Sequence, residues 1–206
     1  MSSDEMTGVQ ALERKHSGLP MAPGKVERRE FEYIRHGTRS FIISRDVVTG
    51  QIVEPFCGPT RTEADFFSHI QAVIASDPSA QRWHFVVDNL DTHRSESLVC
   101  WVAAESGLDI DLGKKGKHGI LADRQSRAAF LSNPTHRIVF HYTPKHASWM
   151  NQIEIWLSIL VRKLLKRGSF VSVDDLKDKV MAFIGYYNRT MAKPFKWTYQ
   201  GKALVA

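Results

Sequence analysis

Cysteine is scarce: there are two in 206 residues, Cys57 and Cys100, with no C-x-x-C pair and no spacing typical of a zinc site. That excludes a disulfide-stapled secreted scaffold, and a reduced intracellular protein is the simpler inference. Long apolar runs are also missing, none approaching the roughly 18 residues of a membrane-spanning helix. The opening Met1-Ser2-Ser3-Asp4-Glu5-Met6 has neither the basic start nor the apolar centre of a signal peptide. The expectation is a cytoplasmic chain without a membrane partner. There is no internal repeat, and His93, His141 and His146 match no compact zinc motif.

What is present suffices for one sizeable core. At 206 residues and 43% hydrophobic, a single domain over 1–206 is expected. The formal charge of +6 is unevenly spread: residues 1–110 hold 11 Lys/Arg against 16 Asp/Glu, and residues 111–206 hold 17 against 6. The second half is therefore either a basic surface that follows a phosphate backbone or a solvated face with no partner.

From Asp4 to about Glu32 the chain is polar and reads as a long excursion after a first element. Ser40–Val47 and Gln51–Glu54 flank the turn Thr49-Gly50 as a hairpin, ended by Pro55, Gly58 and Pro59. Thr60 and Glu63 have capping-box spacing before a helix carrying Phe66, Phe67, Ile70, Val73 and Ile74. A strand from Trp83 to Val87, a helix over 95–105, a flexible basic loop Gly113–Gly119, a short helix over 124–131 and a strand Arg137–His141 follow. A helix opening near Trp149 buries Ile153, Leu157, Leu160, Val161 and Leu164. Ser172 and Asp175 cap a last helix with the stripe Leu176, Val180, Phe183, Ile184 and Tyr187. A hairpin followed by alternating strands and helices predicts an α/β fold around one mixed sheet.

Two carboxylates stand out on this frame. Asp88 ends the apolar run Trp83–Val87, and Glu154 lies three residues after Asn151 at a helix start. An acid at a strand end is by itself more often a turn residue, and Glu154 alone would read as a helix-surface charge. Here Ile153, Ile155 and Trp156 flank it, so it sits beside an apolar stripe where an unpaired carboxylate is costly. Acids from two core elements suggest hard, oxygen-ligated metal ions. A pair of Mg²⁺ ions about 3.5–4 Å apart serves phosphoryl transfer. Trp149 reads as core packing, with base stacking the alternative. Lys145 and the group Lys114, Lys115 and Lys117 are candidate phosphate contacts, and a plain solvated turn is the other reading of that loop.

The segments F-V-V-D-N-L-D-T-H (85–93) and H-Y-T-P-K-H-A-S-W-M-N-Q-I-E-I-W-L-S-I-L (141–160) resemble the second and third acidic motifs of bacterial insertion-sequence transposases of the mariner superfamily, the insertion-sequence six-thirty family. D-E-M-T-G-V-Q-A-L-E-R-K (4–15) and N-R-T-M-A-K-P-F-K-W-T-Y (188–199) agree, so the likeness covers essentially the whole chain. The resemblance implies a ribonuclease H-like sheet flanked by helices and a DDE triad at Asp4, Asp88 and Glu154. It implies two Mg²⁺ ions, with Mn²⁺ as a substitute, and hydrolysis at an element's end followed by attack of the freed 3′ hydroxyl on target DNA. No nucleotide cofactor is implied. Asn89, His93 and Asn151 would orient the acids, and His146 joins Lys145 as a candidate DNA contact. Relatives work as paired subunits, so a homodimer close to the bacterial nucleoid is expected.

Two departures from the family pattern shape the remaining expectations. Glu154 follows Asp88 by 66 positions, which points to an insertion over about 107–131. Only Met1, Ser2 and Ser3 precede Asp4, so the expectation is a first strand largely missing, no helix-turn-helix domain and impaired catalysis. A stand-alone ribonuclease H-like nuclease and an inactive nucleic-acid-binding remnant are the competing readings.

Overall fold

The computed structural model describes residues 1–144 and 147–196. Five strands form one mixed sheet in the order β3-β2-β1-β4-β5. They are β1 (Ser2–Arg14), β2 (Tyr33–Arg45), β3 (Ile52–Gly58), β4 (Trp83–Val87) and β5 (Ile138–Tyr142). The β1-β2-β3 half is antiparallel, whereas β4 lies parallel to both β1 and β5. Helices α1 (Glu63–Ala75), α2 (Glu96–Glu105) and α3 (Arg124–Leu131) cover one face, and α4 (Ile153–Leu160) and α5 (Val173–Thr190) cover the other. This is the expected ribonuclease H-like α/β arrangement.

Alternation along the strands builds both cores. On β2, Ile42 faces α1 and α2 with Phe85, Val87 and Phe140, while Phe41 and Ile43 face α4 and α5 with Trp156, Leu160 and Val180. Each large apolar side chain so buried stabilises the fold by about 1.5–3 kcal/mol. Helix α1 starts two residues later than the Thr60 and Glu63 spacing suggests. Thr62 caps it, its hydroxyl accepting from the Asp65 N–H, while the Asp65 carboxylate accepts from the Thr62 N–H.

The first strand is the clearest correction. It was expected to be largely missing with Asp4 at its end; instead it runs thirteen residues, and Asp4 is its third. Antiparallel pairing with β2 extends from Ser2↔Arg45 to Arg14↔Tyr33. What is short is the parallel partnership with β4, a single pair at Ser2↔Val86. Pro55, expected to end the hairpin, lies inside β3, which an edge strand tolerates because its outer N–H positions need no partner.

Beyond Leu160 the helix widens into a π-helical turn over Val161–Leu165. The extra residue per turn rotates the apolar stripe, and Val161, expected to be buried, is 37% exposed. Trp149, expected in the core, is 56% exposed. The Gly113–Gly119 segment is a closed turn, with Lys114 and His118 paired through their backbones and Gly113 and Gly119 packed at positive φ, where a Cβ would strike the facing backbone. None of the described helices is long and apolar enough to cross a membrane.

Candidate functional site

Asp4 on β1 is directly opposite Ile43 on β2, which faces α4 and α5, so it points to the α4 side, and Asp88 follows the last residue of neighbouring β4. Glu154 lies in the first turn of α4. The three acids therefore reach one end of the sheet from a central strand, its parallel neighbour and a helix packed on it. Their charges act on one another. Burial first, and then the Asp88 and Glu154 carboxylates, push the Asp4 carboxyl up to about 7, against the Glu5 N–H donated to its Oδ1 at 2.8 Å and the charge of His93.

The three residues expected to orient the acids each fasten an element. Asn151 is fully buried in the turn before α4, not on a helical face shared with Glu154. Its Nδ2 donates to the Ser3 carbonyl at 2.9 Å and lies 3.5 Å from Asp4 Oδ2. Its Oδ1 accepts from Ser2 Oγ, which itself accepts from the Ile153 N–H at 2.8 Å. The start of α4 is thereby tied to the start of β1, and Glu154 to Asp4. Glu154 does lie beside the buried stripe of Ile153, Trp156 and Leu157, but it is itself exposed, so burial does not make its charge costly as the sequence suggested.

Asn89 Nδ2 donates to the Thr143 carbonyl at 2.6 Å, joining the loop after β4 to the end of β5. His93 is completely buried in the short 3₁₀ turn Asp91–Arg94. Its Nδ1 is 2.8 Å from Asp88 Oδ1, and its Nε2 is 3.1 Å from Glu5 Oε1. Burial opposes charge on this ring, but hydrogen bonds to Asp88 and Glu5 prevail and hold its pKa up at about 9. The same bond, foremost, keeps the Asp88 carboxyl below the usual carboxylate range.

Sequence reasoning missed Glu5, Ser2 and Arg127. Glu5 carries a signal: in an Asp-Glu pair on a strand, the second acid faces the opposite side of the sheet and needs a buried partner. Ser2 and Arg127 carry none. Arg127 is 9% exposed and donates to the Arg94 carbonyl at 2.7 Å and the Leu121 carbonyl at 2.9 Å, while Arg124 pairs with Asp91 at 2.7 Å. The segment before β5 thus braces the turn that carries His93. Of the basic candidates, Lys114, Lys115 and Lys117 are exposed, and Lys115 lies 3.7 Å from Glu96 and 3.9 Å from Glu63. Lys145 and His146 lie outside the described residues, as does the end of the 188–199 segment.

Asp4, Asp88 and Glu154 offer oxygen only, the donor set of a hard divalent cation. Among the described residues no three His, Cys, Asp or Glu side chains form a ready-made metal cage. The charge balance around Asp4 fits such a cation: His93 offsets only part of the repulsion that the Asp88 and Glu154 carboxylates exert on its carboxyl, and a divalent cation would supply the rest.

No curated protein and no solved structure matches the chain. The profile of the DDE superfamily endonuclease family does match, over residues 1–177, a span that holds the whole sheet and all three converging acids. The chain belongs to the DDE superfamily endonucleases.

Proposed function

We propose that this endonuclease is the catalytic domain of a transposase of the mariner superfamily, in the insertion-sequence six-thirty family, occupying residues 1–206 with an insertion over about 107–131. The observation that carries this reading is the meeting of Asp4, Asp88 and Glu154 from β1, β4 and α4, with Asp4 sensing the charge of both other acids. In this reading the three carboxylates hold two Mg²⁺ ions, or Mn²⁺ in their place, at the element's end. When bound, the ions supply an activated water and charge stabilisation for phosphodiester hydrolysis. Asn151 holds Glu154 beside Asp4, Asn89 holds the Asp88 loop against β5, and His93 fixes the Asp88 carboxylate. Lys114, Lys115 and Lys117 contact DNA phosphates, and the active form is a dimer on paired ends.

Because β1 is paired with β2 without interruption from Ser2 to Met6, Asp4 is anchored, and we expect the chain to cleave. The test is nicking of a labelled duplex carrying the DNA that flanks the coding sequence, beside a scrambled duplex, in Mg²⁺. Selective nicking of the flanking duplex, lowered at least about 100-fold in Glu154→Gln, is the expected outcome. Equal nicking of both duplexes would make the chain a general nuclease. Nicking that survives Glu154→Gln unchanged would remove Glu154 from the site.

A further inference from the structure

Behind Asp88, on the α1 side of the sheet, lie two buried side chains, His93 and Glu5, linked in series to its carboxylate. Glu5 follows Asp4 on β1 and so faces the opposite side of the sheet, where it is directly opposite Ile42 in the α1–α2 core. Its side chain is 2% exposed. A carboxylate there is costly unless satisfied. Its partners are His93 Nε2 at 3.1 Å, the Thr92 hydroxyl at 3.4 Å and the more distant Arg61 guanidinium at 3.9 Å. His93, wedged against the Phe66 ring with centroids 4.2 Å apart, turns its other nitrogen to Asp88 Oδ1. That oxygen also accepts the Leu90 N–H at 2.9 Å.

Asp88 Oδ1 is therefore held from two sides. With the far ring nitrogen anchored on Glu5 and the near one on Asp88, the imidazole cannot rotate without breaking both contacts inside a packed core. We infer that Glu5 is a positioning residue: acting through His93, it fixes the Asp88 carboxylate with Oδ1 committed to protein and Oδ2 left for the divalent cation. The inference rests on the reading of Asp88 as a metal ligand. Groups that hold a ligating carboxylate in this way are typically worth 10–100-fold in metal affinity.

The experiment is a Mn²⁺ titration of the full chain, free Mn²⁺ being read by electron paramagnetic resonance, in wild type, Glu5→Gln, His93→Gln, the double variant and Asp88→Ala. Glu5→Gln is expected to weaken Mn²⁺ binding roughly 10-fold. In the His93→Gln background the same change is expected to add less than about twofold, since the two residues act as one unit. Nicking at saturating Mn²⁺ is expected to stay within about threefold of wild type in Glu5→Gln, the split expected of a group that shapes metal binding without touching the reacting atoms. If Glu5→Gln does not fold, Glu5→Asp, which keeps the charge but withdraws it from the ring, must show the weakened binding. Unchanged Mn²⁺ affinity in a folded Glu5 variant, or full additivity with His93→Gln, overturns the inference. Unchanged affinity in Asp88→Ala overturns the underlying metal reading instead.

Discussion

Asp4 is the residue on which stability and the proposed activity pull in opposite directions. Its carboxyl titrates at about 7 rather than near 3.8, because burial and two neighbouring carboxylates penalise the ionised form. The folded protein thus holds this proton more tightly than the unfolded chain does. Below about pH 3.8 both states carry it and nothing is lost. As pH rises from there to 7 the unfolded chain ionises first, so stability falls, and above pH 7 the full cost, on the order of 4 kcal/mol, is present. Asp4→Asn removes it while keeping the shape of the side chain. In chelator at pH 8 the variant is expected to be about 2–4 kcal/mol more stable in urea unfolding, the advantage shrinking towards pH 4, and to be inactive in nicking. A variant no more stable than wild type at pH 8 would show that the acids are farther apart electrostatically than their placement implies.

Among the elements, those with a strong apolar period were legible and those held by polar bonds were not. Helices α1, α2 and α5 and strands β4 and β5 carry stripes or runs of Ile, Leu, Val and Phe, and their positions follow directly from period and caps. Strand β1 opens with Ser2, Ser3 and Asp4, all buried, and has no apolar run by which its sequence reads as a strand. Its small polar side chains are satisfied by partners distant in sequence: Ser3 Oγ meets Ser44 Oγ at 2.6 Å, and Ser2 meets Asn151. No local pattern encodes such pairs. The same physics explains the site, where Asp88, Glu154, Asn89, His93 and Asn151 were legible from motifs, while Glu5 and Arg127 draw their meaning from contacts across the sheet. Asn151 is the strongest test of this dependence. Asn151→Ala leaves the Ser3 carbonyl and the Ser2 hydroxyl buried without their partner, which costs roughly 1–3 kcal/mol per group. A loss of about 2–4 kcal/mol in denaturant unfolding is expected, with weakened nicking as α4 loosens. A loss under about 0.5 kcal/mol would mean that α4 is seated by its apolar stripe alone.

At the scale of the molecule, charge is divided along the chain, 11 Lys/Arg against 16 Asp/Glu in residues 1–110 and 17 against 6 in residues 111–206. The net +11 of residues 111–206 is not uniformly available, however. Lys115 is flanked by Glu63 and Glu96, so part of its charge is already compensated by the protein. Lys114 and Lys117 protrude from the same closed turn and have no ion pair among the described residues. If this turn lies along a DNA backbone, each uncompensated lysine displaces about one counterion from the duplex. Binding of a fluorescent duplex, followed by anisotropy between about 50 and 200 mM salt, should then give a logarithmic slope that becomes shallower by about 2 in Lys114→Ala/Lys117→Ala. Lys115→Ala should change it by clearly less than 1, because removing that lysine also exposes two glutamates whose repulsion weakens binding with little counterion release. Equal slopes in wild type and the double variant would move the DNA path off this turn, leaving the basic stretch Arg162 to Arg167 beyond α4 as the surface that follows the phosphates.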